Sequence, residues 1–213
     1  MVLIVGIVAL IGSCAKKDEE TAATAAADNT TSTTKYMSTT TTASGSITMG
    51  DDTLSGVYAS ECLTSASTIA FFKALGYWAS EVNAYGQVFV VTGSDNISIE
   101  LYAFTDTSCS NLSQCQKTVS DNVTFGSASG SNYPVTYNNQ TQAITVHTTA
   151  AETALETLYS NALDFIVGTP IELPVSGSGL KYGLWTLSGT TWYEASSSSA
   201  TPTSAGTVPH VKQ

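Results

Sequence analysis

Two hydrophobic rhythms run along this chain. The commoner one is the short β-former run. Residues 54–62 read as a first strand, opened by Ser55-Gly56. Residues 87–92 and 97–105 are rich in Val, Phe, Ile and Tyr and flank Thr92-Gly93-Ser94-Asp95-Asn96. A short glycine-containing turn between two β-rich runs predicts a hairpin. In its second arm Ile97, Ile99, Leu101 and Ala103 alternate with Ser98, Glu100, Tyr102 and Phe104. The first set is therefore expected to face the core. Further strands are predicted over 117–125, 133–137 and 144–147, with the polar run after Tyr137 read as a turn. Residues 181–187 and 190–195 flank Ser188-Gly189, a second hairpin signal.

The rarer rhythm is helical. In residues 67–82, Phe71, Leu75, Trp78 and Val82 fall on one face at helical spacing. In residues 150–163, Ala151, Ala154, Leu155, Leu158 and Ala162 do the same. Thr149 three positions before Glu152 has the form of a capping box, and Gly168 and Pro170 mark the exit. These helices are expected to plug or cover a sheet. A membrane-binding helix is the weaker alternative, because the polar faces lack Lys and Arg. Eight short strands in sequential hairpins predict a mainly β fold with two inserted helices. Such a sheet curls into an antiparallel up-and-down barrel.

Composition changes this picture at both ends. Residues 15–52 form a Thr, Ala and Ser-rich stretch without a periodic apolar face. A segment of that kind cannot offset its ordering entropy by burial. As a flexible linker it would reach roughly 35 Å. Residues 196–213 are Ser, Thr, Pro and Gly-rich and are expected to be loose. Before the linker stands an apolar run, residues 2–11, too short to span a bilayer of roughly 30 Å. It suits the apolar region of a secretory signal. Gly12-Ser13-Cys14 follows directly, and this arrangement resembles the lipobox of bacterial lipoproteins. The resemblance implies cleavage before Cys14, a diacylglyceryl thioether on its sulfur and an acylated amino terminus carrying chains such as palmitate. Two or three acyl chains hold stably to a membrane, whereas one holds marginally. Ala15, rather than Asp, after the cysteine implies the outer membrane of the cell envelope. The expected organisation is a signal peptide at 1–13, a lipidated tether at 14–53, a β-barrel domain at 54–195 and a flexible tail at 196–213.

The charge is acidic, with 17 carboxylates against 7 basic residues and a formal net charge of −10. All the basic residues are lysine. A nucleic-acid binder needs Lys and Arg to displace phosphate counterions and read guanine edges, so that class is excluded. Membrane residence is expected to rest on the acyl chains.

With Cys14 lipidated, Cys62, Cys109 and Cys115 remain. Export implies an oxidising compartment and one disulfide, with one cysteine left over. Closing Cys62 to Cys109 would stabilise by roughly 4 kcal/mol and closing Cys109 to Cys115 by roughly 2 kcal/mol in the chain-entropy model. A second resemblance bears on the choice. Gly56-Val57-Tyr58 with Cys62 four residues on, and Tyr102-Ala-Phe-Thr-Asp-Thr-Ser-Cys109, are similar to small exported bacterial domains with a lipocalin-like barrel. That family's pattern implies a Cys62–Cys109 bridge and leaves Cys115 as a possible free thiol. It has Trp where Tyr58 stands, and an Arg packed over it that this chain lacks. The resemblance covers residues 54–112 well and the remainder by strand rhythm alone.

No motif carries a reaction. Asp106-Thr-Ser108-Cys-Ser110 matches the metal-ion adhesion motif DxSxS. That motif needs a parallel α/β sheet behind it, so a polar turn with local backbone bonds is expected instead. Ser178-Gly-Leu-Lys181 matches SxxK but precedes a strand, and its partner motifs are missing from the sequence. A Ser-His-Asp triad would need His147 or His210, and no nucleophile elbow is present. The two histidines and the cysteines lack metal-ligand spacing, so neither metal nor cofactor is expected. The aromatics Tyr58, Phe71, Trp78, Tyr102, Phe104, Trp185 and Trp192 are expected mainly in the core, with a cavity lining as the minority reading. An eight-stranded barrel is just wide enough for side-chain filling or one small ligand. The sequence thus leads to a non-enzymatic envelope lipoprotein whose barrel binds a small apolar ligand or an envelope protein. The alternatives are a structural or adhesive surface module and, more weakly, an envelope hydrolase.

Overall fold

A computed structural model describes residues 37–175 and 179–213. The elements in order are β1 (Ile47–Met49), β2 (Asp52–Leu54), β3 (Val57–Ala59), α1 (Ala66–Ala74), β4 (Ala84–Val91), β5 (Ile97–Phe104), β6 (Leu112–Phe125), β7 (Asn132–Val146), α2 (Thr149–Leu158), β8 (Pro170–Leu173), β9 (Leu180–Ser188), β10 (Thr191–Ser197) and β11 (His210–Lys212). The fold is the expected one: a closed antiparallel up-and-down barrel of eight strands with two helices, to which one extra strand, β8, and a separate two-stranded hairpin, β1–β2, are added. Around the barrel the order is β3, β4, β5, β6, β7, β9, β10, β11 and back to β3. The extra strand β8 pairs with the second half of β7, while β9 pairs with its first half.

Register fixes which residues look inward. On β4 and β5, Phe89 lies opposite Ile99 and Val91 opposite Ile97. These four join Tyr58, Val123, Val135, Tyr137, Trp185 and Trp192 in one apolar cluster. The inward assignment of the 97, 99, 101, 103 set holds. Trp192 is the centre of the aromatic packing, with Tyr58, Phe89 and Trp185 rings at 5.5, 4.5 and 4.6 Å. The barrel end beside the β4–β5 turn is plugged by the β1–β2 hairpin, whose Ile47, Met49 and Leu54 are buried in that cluster. Its turn needs Gly50 (φ 62°), where a Cβ would lie 2.6 Å from the Tyr133 hydroxyl oxygen.

The domain boundaries differ from the expectation at both ends. Residues 37–53 belong to the fold rather than to a tether. Met37 is buried, its amide donates to the Ser60 carbonyl at 3.2 Å, and the chain then runs over the outer face of β4 and β5 to the plug. Beneath this arm, buried Glu100 accepts hydrogen bonds from Thr41 and Tyr102. Burial, helped by Glu100, pushes the Tyr102 hydroxyl well above the usual phenol range. At the other end, residues 196–213 are not a loose tail. β11 closes the barrel between β10 and β3 and carries buried His210.

Smaller differences have local causes. The first strand, expected over 54–62, is split by Gly56 (φ 86°) into β2 and β3. The expected strands 133–137 and 144–147 are one strand, β7, with no turn between them. α1 stops at Ala74, so its predicted stripe does not form: Phe71 and Leu75 are exposed, while Ile69 faces inward. Trp78 and Val82 are buried from the irregular segment that follows. The cap of α2 is Thr148, whose hydroxyl accepts from the Ala151 amide at 3.1 Å, one residue before the expected Thr149.

Candidate functional site

Most of the barrel interior is filled, the end beside the plug by the aromatic cluster and the opposite end by Trp78, Val82, Tyr85 and Ala103 together with Ile144, Val146, Ala151 and Leu155. Between them lies an open cavity of about 310 Å³ lined by Ile99, Thr118, Tyr137, Asn139, Lys181 and Ser196 to Ser198. Strand pairing assembles these residues. Ile99 on β5 lies opposite Thr118 on β6, and Tyr137 on β7 lies opposite Lys181 on β9. Ser196 on β10 lies opposite Gly183, two residues along β9 from Lys181. Side chains two apart on a strand share a face, so all of these point to one interior.

The wall is polar, and one part of it is a hydrogen-bonded set. Tyr137, Glu194 and Ser196 bond to one another. Withdrawal from water raises the Glu194 carboxyl, although its bonds to Ser196 and Tyr137 pull the other way. Burial and the neighbouring Glu194 raise the Tyr137 hydroxyl above its ordinary range. Lys181 is the one basic side chain in the cavity wall. The arrangement offers an ammonium, several hydroxyls, an amide and one apolar patch at Ile99. It suits a small molecule bearing acceptor oxygens. A volume of about 310 Å³ is at the low end for ligand pockets and admits on the order of ten non-hydrogen atoms.

His210 lies deeper, between this wall and the aromatic core. Its Nδ1 is 3.3 Å from the Trp192 carbonyl oxygen and its Nε2 is 3.2 Å from the Gln87 amide oxygen. The ring stands edge-on to Phe89 at 4.7 Å. Burial brings the imidazole down to about 4, against a smaller upward pull from the Trp192 carbonyl. A neutral ring satisfies both contacts if Nδ1–H donates to the carbonyl and the Gln87 amide turns its NH₂ toward Nε2.

The sequence-derived candidates fall in different places. Cys62 and Cys109 form the expected disulfide, with Cα atoms 5.8 Å apart. It ties the segment leading into α1 to the β5–β6 connection. Cys115 is not the free thiol expected: it is buried and disulfide-bonded, and no cysteine among the described residues is free. Cys14 and Ser178 lie outside the described residues. Asp106, Ser108 and Ser110 form the polar turn that was expected. The Asp106 carboxylate accepts from the Ser108 amide and hydroxyl at 2.9 and 2.7 Å, the Ser110 amide at 3.0 Å and the Asn111 amide at 2.6 Å. Slight burial raises its carboxyl, but these donors outweigh it and hold the group at about 2. Among the described residues no cluster of three or more His, Cys, Asp or Glu side chains has metal-binding geometry. His147 follows β7, its amide donating to the Ser113 carbonyl at 2.7 Å, while His210 is enclosed in the barrel. The cavity residues Tyr137, Asn139 and Ser196 were not legible as site residues, and Lys181 was visible only through the SxxK match. No protein-family model matches this chain, and comparison with curated proteins gave no match.

Proposed function

We propose that this protein is a lipid-anchored lipoprotein of the bacterial cell envelope, at the outer membrane, whose barrel binds a small ligand without transforming it. The observation that carries the reading is the polar-walled cavity of about 310 Å³ that opens from the barrel interior. The wall favours a polar ligand over the apolar one suggested by the sequence. Lys181 supplies the charge for a carboxylate or similar acceptor, Tyr137, Thr118 and Ser196 supply hydroxyls, and Ile99 takes an apolar portion.

A thermal-shift screen of small carboxylates, sugars and sugar acids on the purified full chain tests this reading. A ligand at a hundred times its Kd stabilises by about 2.7 kcal/mol, which raises Tm by roughly 5–10 °C for a domain of this size. The rise is expected to vanish in Lys181→Met and to shrink in Tyr137→Phe. A hit that raises Tm equally in both variants would refute the cavity as its site. The anchor has its own test. Cys62 and Cys109 bond to each other and Cys115 is bonded. Within one chain, a thioether at Cys14 and a disulfide to Cys115 therefore compete for one sulfur. Mass spectrometry of the Cys14 peptide from native membranes is expected to find the diacylglyceryl group; a Cys14–Cys115 linkage would refute anchoring.

A further inference from the structure

Among the described residues the five exposed large hydrophobics, Phe71, Leu75, Tyr77, Ile166 and Val167, belong to two connections at the same end of the barrel. Residues 60–83 join β3 to β4, and residues 147–169 join β7 to β8. β3 ends where β4 begins, with Ala59 opposite Val88. The start of β4 lies at the end of β5, and the start of β6 at the end of β7. Both connections thus emerge opposite the plugged end. Lone apolar residues on a surface are ordinary, but their confinement to one end marks an interaction surface.

Three observations point to what covers it. The described chain enters the fold at this end, where Met37 bonds Ser60, 23 positions after the cysteine expected to carry lipid. Charge singles out the α1 side of this end: from Cys62 to Ser80 there is no carboxylate, and Lys73 in the last turn of α1 is the single charged side chain, whereas residues 147–169 carry Glu152, Glu156 and Asp164 and no lysine. The apolar groups are also held in place. Phe71 packs edge-on to Phe72 at 5.6 Å, Phe72 stacks on Trp78 at 4.5 Å, and Trp78 leans on Tyr85 of β4 at 5.4 Å. The Cys62–Cys109 bridge fixes the base of the same segment.

We propose that this end of the barrel rests on the lipid bilayer, with Phe71, Leu75 and Tyr77 inserted at headgroup depth and Lys73 against lipid phosphates. The proposal builds on the acyl anchor of the preceding section. An anchored domain has a high effective concentration at the membrane, so a small apolar surface suffices to orient it.

The test uses the full-length lipidated protein in vesicles of phosphatidylethanolamine and phosphatidylglycerol, with and without bromine on the acyl chains. One variant, Phe71→Trp, reports on the helical end. A second, Ser94→Trp, reports on the β4–β5 turn, about 26 Å away along the eight residues of β4. Bromolipid is expected to quench the added emission at position 71 at least twofold and to leave that at position 94 unchanged. Leu75→Trp repeats the measurement should the first variant not fold. Equal quenching at both ends, or none at either, would overturn docking, as would protection of residues 66–78 from amide exchange without quenching. The mass of the Cys14 peptide, read from the same sample, separates the two failures. An acylated chain without quenching at position 71 refutes docking alone, whereas an unacylated chain that stays off the vesicles refutes the anchor.

Discussion

His210 offers the most direct check on the closed barrel. The ring is buried between β10 and β4, bonded to the Trp192 carbonyl and the Gln87 amide, and its pKa is brought down to about 4. In the unfolded chain it titrates near 6.5. Between these values the unfolded state takes up the proton and the folded state refuses it. Stability from this group is therefore complete above pH 6.5, falls as the pH drops and stops falling below about 4. Integrating the linkage relation across that window gives a loss of about 2 kcal/mol at pH 5 and about 3 kcal/mol at pH 4. Urea unfolding at pH 7.5, 5 and 4 measures it, with His210→Gln as the reference. Carboxylates, including Glu194 with its opposite sign, titrate in both proteins and cancel in the difference. His210→Gln is expected to be less stable than the wild type at pH 7.5, and the gap is expected to narrow by about 2 kcal/mol at pH 5. A gap that stays constant would mean that His210 is solvated, and that β11 does not close the barrel as described.

Two further perturbations probe the ends of the fold. Removing the disulfide with Cys62→Ala and Cys109→Ala frees a loop of 47-residue separation, and urea unfolding is expected to show a loss of about 4 kcal/mol; a loss below about 1 kcal/mol would show that the unfolded chain already holds these segments together. Gly86→Ala places a Cβ 2.3 Å from Met37 Cγ and 2.5 Å from its Sδ. It is expected to lift the arm at a cost of roughly 1–3 kcal/mol, seen as faster amide exchange at Met37 and Ser44; unchanged exchange there would show that the arm is not seated on β4.

Much of the barrel was legible in its β-former runs and the turns between them. In the 84–104 hairpin the alternation of β5 marked the inward set, although the outer face is buried as well, beneath the arm that starts at Met37. β7 was misread as two strands because its middle residues, 138–142, are polar. They lie where its outer neighbour changes from β9 to β8, and opposite the register shift of β6 between Val119 and Ser120. No apolar signal marks such a handover. The stripe on α1 was a coincidence of spacing: Phe71 and Leu75 kept the rhythm of Trp78 and Val82, but the helix ended between the two pairs. The terminal segments were assigned to linkers on composition. A three-residue strand such as β11, reading His-Val-Lys, carries too few positions to show a period, and its burial depends on strands more than a hundred residues earlier. The disulfide was assigned correctly through a family resemblance, which supplied the pairing that spacing alone left open.

The cavity was invisible for a related reason. Its wall draws one or two residues from each of five strands, β5, β6, β7, β9 and β10, and Ser198 just after β10. No two of the principal polar groups, Thr118, Tyr137, Lys181 and Ser196, stand closer than fifteen positions in sequence. What they share is height in the barrel, a property of register rather than of order along the chain. The same register separates stability from recognition. Trp185, Trp192, Tyr58 and Phe89 are fully buried beside the plug, where each large aromatic is worth roughly 3–5 kcal/mol to the fold. Lys181, Ser196 and Ile99 line the open cavity, where substitution leaves no comparable void.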